Sequence, residues 1–70
     1  MNEIVLKSNN NDFFELRLVL VVNYNIEYLE CLVVLKNKIN NRNQLKQFDS
    51  NKFRDALRYY EQQEKMFIKA

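Results

Sequence analysis

Residues 13–35 read FFELRLVLVVNYNIEYLECLVVL, two apolar runs on either side of a polar break at Asn23-Tyr24-Asn25. This stretch restricts the fold more than any other. Side chains on a strand alternate between faces, so a period of two marks one buried side. Phe14, Leu16, Leu18, Leu20 and Val22 share one face of the first run. Phe13, Glu15, Arg17, Val19, Val21 and Asn23 take the other. In the second run Leu29, Cys31, Val33 and Leu35 fall together, opposite Tyr28, Glu30, Leu32, Val34 and Lys36. The pattern predicts a long β-hairpin. The shortest loop, centred on Tyr24 and Asn25, opposes Leu20 to Leu29, Leu18 to Cys31, Leu16 to Val33 and Phe14 to Leu35. A slip by one residue would set Arg17 among these apolar pairs, and such differences fix register. Two-residue loops favour positive φ. With no glycine in the chain, Asn25 is expected to adopt it, unless the turn is longer. The competing reading is a helix over residues 26–39, with Ile26, Leu29, Val33 and Lys36 at helical spacing. The β-branched residues and the matched pairs favour the strand. Glu15 and Arg17 interrupt the first run, and neither run reaches the roughly 18 apolar residues of a membrane-spanning helix.

Upstream, Glu3–Lys7 has strand character, with Ile4 and Leu6 on one face and Val5 on the other. Ser8–Asp12 reads as a polar turn. Downstream, residues 36–43 form a polar, basic loop, and Gln44–Phe48 is a further short strand candidate. Asp49 to about Phe67 is predicted as a helix. Asp49 is a suitable N-cap, and Phe48 with Phe53 would form a hydrophobic staple. Phe53, Ala56, Leu57, Tyr60 and Phe67 make an apolar stripe, which Glu64 interrupts. Glu61 and Lys65 are spaced for an ion pair. No glycine terminates the helix, so its end is expected to fray. The expected fold is α+β: an antiparallel hairpin within a three-to-four-stranded sheet, followed by one C-terminal amphipathic helix. Residues 1–70 form a single domain. The expected core is Phe14, Leu16, Leu18, Leu20, Leu29, Val33, Phe53, Leu57 and Tyr60.

A chain of 70 residues buries a modest core and usually needs a disulfide, a metal or a partner. The single cysteine, Cys31, excludes an internal disulfide, and its place on the core face marks it as a small buried hydrophobe. Without histidine there is no imidazole base and no transition-metal cluster. Without glycine there is no phosphate-binding loop. The expectation is therefore a protein that is not an enzyme, with no catalytic residues, cofactor or metal. Lone-cysteine usage suits a reducing interior. Met1-Asn2-Glu3-Ile4 lacks the basic and apolar regions of a signal peptide. A cytoplasmic protein without membrane association is expected.

Two features point to binding. If one helix covers one sheet face, the other still shows Phe13, Val19, Val21, Tyr28, Leu32 and Val34, and a large exposed apolar patch marks an interface. Val19, Val21, Tyr28, Leu32 and Val34 are the expected partner interface, used in a homodimer. The second feature is charge. The net charge is +2, but residues 1–35 carry two basic against five acidic residues, net −3, and residues 36–70 carry nine against four, net +5. Lys36, Lys38, Arg42, Lys46, Lys52, Arg54 and Arg58 form a candidate basic surface for an acidic protein partner. Nucleic acid is the less favoured ligand, although Tyr59 and Tyr60 lie near these residues. The pI of about 8.8 lies below the value of about 9 typical of nucleic-acid-binding domains, and no recognition motif is present. The bland alternative is a surface charged for solubility.

Eleven asparagines, with no glycine or proline, complete the picture. In size and composition, and not through any motif, the chain resembles the very small Asn/Lys/Ile-rich products of phages and mobile elements of AT-rich bacteria. That resemblance implies a stoichiometric binder of a larger host protein: an inhibitor of a defence system, anti-CRISPRs among them, or of a polymerase or nuclease. A structural subunit of an assembly would use the same apolar face.

Overall fold

The computed structural model describes residues 2–25 and 28–69, with Tyr28 described by its backbone. Four strands, β1 (Asn2–Asn10), β2 (Phe14–Asn23), β3 (Tyr28–Asn37) and β4 (Asn43–Asp49), form one antiparallel sheet in sequential order. A 3-10 turn (Ser50–Lys52) leads into helix α1 (Phe53–Gln63), which continues as a π-helical turn (Glu64–Ile68). The helix packs on one sheet face, giving an α+β fold of four strands and one helix. Tyr28–Asn37 is strand, so the competing helix is overturned there; Ile26 and Glu27 lie outside the described residues.

The β2–β3 register differs from the shortest-loop expectation by two residues. Leu20 pairs with Cys31, Leu18 with Val33, Leu16 with Leu35 and Phe14 with Asn37. The last pair, Asn23 with Tyr28, leaves four residues between the strands. A two-residue loop wants positive φ, which is costly without glycine; four residues relieve that demand. A shift of two preserves every side chain's face, so Leu20, Leu18 and Leu16 keep apolar partners, and only Phe14 exchanges one for Asn37. Among the described residues, positive φ falls at Asn41 (58°), in the β3–β4 loop, and not at Asn25.

Asparagine side chains hold the turns, as their local hydrogen bonding allows. The Asn37 Oδ1 accepts from the Ile39 N–H at 2.9 Å, and the Asn40 Oδ1 from the Arg42 N–H at 3.0 Å. The basic stretch after β3 is therefore a tight, hydrogen-bonded loop. Asn11 does more. Its Oδ1 accepts from the Phe13 and Phe14 N–H groups at 2.9 and 2.7 Å, and its Nδ2 donates to the Phe67 carbonyl at 2.8 Å. One side chain thus closes the β1–β2 turn and satisfies a carbonyl at the helix end, groups that otherwise need water. Asn11 ties the helix end through the Phe67 and Ile68 carbonyls; Ala70, towards which the sequence predicts fraying, lies outside the described residues.

The buried core is Leu16, Leu18, Cys31, Val33, Leu35, Ala56 and Tyr60, with Phe14, Leu20, Phe48, Leu57, Tyr59, Phe67 and Ile68 packed around it. Two expected core residues lie at its margin. Leu29 is 41% exposed: β4 ends at Asp49, opposite Glu30, so Leu29 has no β4 neighbour beside it. Phe53 is 39% exposed at the first position of α1. Asp49 precedes the 3-10 turn without a side-chain cap hydrogen bond, and Lys52 occupies the cap position of α1. Intervening 3-10 residues move the helix start past the predicted cap. Phe48 packs instead on Tyr59, with ring centroids 5.8 Å apart.

Glu64 does not run past the sheet. The Asn9 Nδ2 donates to its Oε2 at 3.0 Å, and the Lys69 Nζ lies 3.2 Å from its Oε1. The Lys69 N–H donates to the Glu64 carbonyl at 2.9 Å, the five-residue spacing of a π turn, which is what brings Glu64 and Lys69 together. Glu61 and Lys65 are not among the ion pairs of the described residues. The Asn9 hydrogen bond, with Lys69 and Lys7, holds the Glu64 carboxyl below the usual carboxylate range. A lowered carboxyl stabilises the fold above its unfolded-state value, and the contribution is lost as pH falls through the folded value. Urea midpoints taken from about pH 5 down to about pH 3 should therefore fall, and Glu64→Gln should flatten that limb. Parallel pH profiles for the two proteins would deny Glu64 this role.

Candidate interaction surface

The sheet face opposite the helix is assembled by register alone. Its rows, read from β1 to β4, are Glu3–Val21–Glu30–Asp49, then Val5–Val19–Leu32–Gln47, then Ser8–Arg17–Val34–Leu45, then Asn10–Glu15–Lys36–Asn43. A bulge in β1 between Val5 and Lys7 sets this order. It inserts Leu6 as the extra residue and turns Lys7 to the helix side, opposite Leu18, where its Nζ stands 5.7 Å from the centre of the Tyr60 ring.

Four of the five expected interface residues, Val19, Val21, Leu32 and Val34, have described side chains on this face; the side chain of Tyr28 lies outside the description. Their roles differ from the expectation. Val19 and Val21 are only 4% and 3% exposed although no helix covers them. Val19 is flanked by Val5 and Leu32, and Val21 by Glu3 and Glu30. Leu32 and Val34 are half-buried. The apolar surface open to solvent comes from the outer strands, from Val5 at 50% and Leu45 at 60% exposure. The sequence carried the signal: Val5 alternates with Ile4, and Leu45 with Lys46. Only strand order shows that both flank the same apolar centre. Phe13, half-exposed, sits in the β1–β2 turn, outside the paired rows.

Charge divides the two ends of this face. Glu3, Glu30 and Asp49 form one row at the hairpin end. Arg17 and Lys36 lie towards the opposite end with Glu15, whose carboxylate is 3.4 Å from the Arg17 Nε. That pair is partly exposed, worth about 0–1 kcal/mol. The Gln47 side-chain amide donates to Glu30 across the β3–β4 ladder.

The basic residues do not form one patch. Lys36 belongs to the open face, whereas Lys46 pairs with Val33 and points to the helix side. The Lys38 Nζ donates to the Asn11 carbonyl at 2.7 Å, and Arg42 lies in the same loop region. Arg54 and Arg58 sit one turn apart on the exposed side of α1, and Lys52 is exposed in the preceding 3-10 turn. Tyr60 is buried in the core and Tyr59 packs on Phe48. Cys31 is buried as expected, and burial together with the Glu30 charge pushes its thiol up, away from the reactive thiolate.

A groove of about 250 Å³ opens beside the β3–β4 loop, with Phe14, Leu35 and Phe67 as its floor and Asn37, Asn40, Arg42 and Gln44 around it. It is smaller than the roughly 300–1,000 Å³ of usual ligand sites. No helix among the described residues is long and apolar enough to cross a membrane. Comparison with protein families, with curated proteins and with solved structures found no match.

Proposed function

We propose that this chain is a small non-enzymatic binding module that modulates a larger host protein by stoichiometric contact, working in a reducing host-cell cytoplasm. The observation that carries the reading is the open sheet face: an apolar centre of Val5, Val19, Leu32, Val34 and Leu45, with Arg17 beside it and charged rows at both ends. One helix cannot cover both faces of a four-stranded sheet, and contiguous apolar surface of this kind is used for protein contact. The resemblance in size and composition to phage and mobile-element products adds the class of target, a host defence protein, polymerase or nuclease. The basic residues of the helix side, Lys46, Lys52, Arg54 and Arg58, supply a surface for an acidic partner.

The nucleic-acid reading has less support. Lys36 and Lys46 face opposite sides of the sheet, and buried Tyr60 offers no ring for base stacking. A salt series of gel shifts decides this point, because phosphate contacts weaken steeply as salt rises.

The binding reading is tested by parallel affinity capture from host cells with wild type and with Val5→Lys/Leu45→Lys. Both sites are exposed, so the double variant should fold with nearly unchanged stability. A specific partner should be retained by wild type and lost by the variant. Equal capture by the two proteins would contradict the reading.

A further inference from the structure

We propose that the open face is a self-interface, in which two copies pack sheet on sheet with their strands antiparallel, the acidic end of each lying on the Glu15–Lys36 end of the other. The proposal rests on the reading of this face as a protein-binding surface and names its occupant, which leaves the helix side, with Lys52, Arg54 and Arg58, to the host protein. Three observations select a second copy in this orientation.

The first is charge. The two end rows of the face carry net −3 (Glu3, Glu30, Asp49) and net zero (Glu15, Lys36), with Arg17 in the next row inward from the second. A two-fold axis across the strands exchanges these ends, so each acidic row meets a row without net charge and sets Glu30 over the partner's Lys36. A two-fold axis along the strands sets Glu3 against the partner's Asp49, and acid row against acid row. Like charges brought together in an interface disfavour the second arrangement.

The second is extent. The molecule measures 38 × 23 × 15 Å along its principal axes. The broad face therefore offers up to about 800 Å², which is what a standard interface takes from each partner. The same axis lays the Val5–Val19–Leu32–Gln47 row over the Ser8–Arg17–Val34–Leu45 row, so Leu32 meets the partner's Val34 at the centre and the Arg17 stem lies against Val19. Sheets stacked in this way share a core.

The third is the state of the edges. The β1 edge is broken by the bulge at Leu6, and β4 is a short edge carrying Lys46. Bulges and lysines are the features that block edge-to-edge pairing. Association through the face is what remains, and it leaves both helices outward with Arg54 and Arg58 displayed on each side.

Sedimentation velocity at up to about 100 μM is the first measurement, since stable interfaces of this size bind at micromolar concentration or tighter. Wild type should sediment as twice 8.6 kDa. Arg17→Glu/Lys36→Glu and Glu3→Lys/Asp49→Lys should each dissociate at least about tenfold more readily, and an equimolar mixture of the two should recover the dimer. Circular dichroism establishes that each variant is folded. Carbodiimide cross-linking of a mixed ¹⁴N/¹⁵N sample then reads orientation: the antiparallel pair joins Lys36 of one copy to Glu30 of the other, and the parallel pair joins Lys36 to Glu15. A wild-type monomer, a dimer indifferent to the charge reversals, or a Lys36–Glu15 product joining a ¹⁴N chain to a ¹⁵N chain would each overturn the proposal. If wild type is monomeric yet Val5→Lys/Leu45→Lys loses its captured partner, the face still binds protein and only the self-interface fails.

Discussion

Leu18→Ala is expected to lower the unfolding free energy by about 2–5 kcal/mol, the range for a fully enclosed leucine. Leu18 is completely buried. It lies in the middle of β2, between Lys7 of β1 and Val33 of β3, within the cluster closed by Ala56 and Tyr60 of the helix. Truncation removes favourable burial and leaves a void that strands paired on both sides cannot collapse into. Domains of this length have roughly 4–10 kcal/mol in total, so the variant should be marginally folded or unfolded. Ile39→Ala, at an exposed loop position, is the control and should change stability by less than about 0.5 kcal/mol. Urea denaturation of the three proteins checks the pair. An unchanged midpoint for a soluble Leu18→Ala protein would refute the core assignment.

Tyr60→Ala should be at least as damaging, at about 3–5 kcal/mol, the range for a large aromatic side chain in a core. Tyr60 is the largest fully buried side chain of the molecule's described part. With Ala56 one turn before it, it joins the helix to the sheet. Removing the ring takes away the helix's main anchor and the surface on which Lys7 rests. Burial, assisted by the Glu64 charge, pushes the Tyr60 phenol up. A raised phenol stabilises the fold below its unfolded-state value, and that contribution is lost as pH rises through the folded value. Tyr60→Phe should retain most of the stability and remove this alkaline loss. If Tyr60→Ala melted with Tyr60→Phe, the helix would not be held by this ring.

The strands and their faces were legible because period two is a strong signal in residues 13–35, and the apolar pairs exclude a one-residue slip. The true register was not. A two-residue offset leaves every side chain on the same face, so apolar matching cannot separate the shorter loop from the longer one; only the backbone cost of positive φ does. Leu29 obeys the same alternation as Leu20 and Val33 and is nonetheless exposed, because burial depends on where β4 and the helix stop. Phe53 fits the helical stripe, but the 3-10 turn moves the helix start. Glu64 read as an interruption because local spacing does not reveal that Asn9, 55 residues away in sequence, meets it. On the open face the sequence pointed to Val19 and Val21, which their neighbours already cover. The exposed apolar contribution of Val5 and Leu45 follows from strand order, which is a long-range property.

On the proposed assembly, a second copy occupies the sheet face away from the helix. Isotope-filtered NMR on a mixture of ¹³C-labelled and unlabelled chains tests it most directly, because it records only contacts between copies. Intermolecular NOEs are expected to join the methyl groups of Val19 and Leu32 to those of Val34 and Leu45. Intermolecular NOEs confined to Ile4 and Leu29, on the helix side, or none at concentrations of about 100 μM, where interfaces of this size are populated, would contradict it.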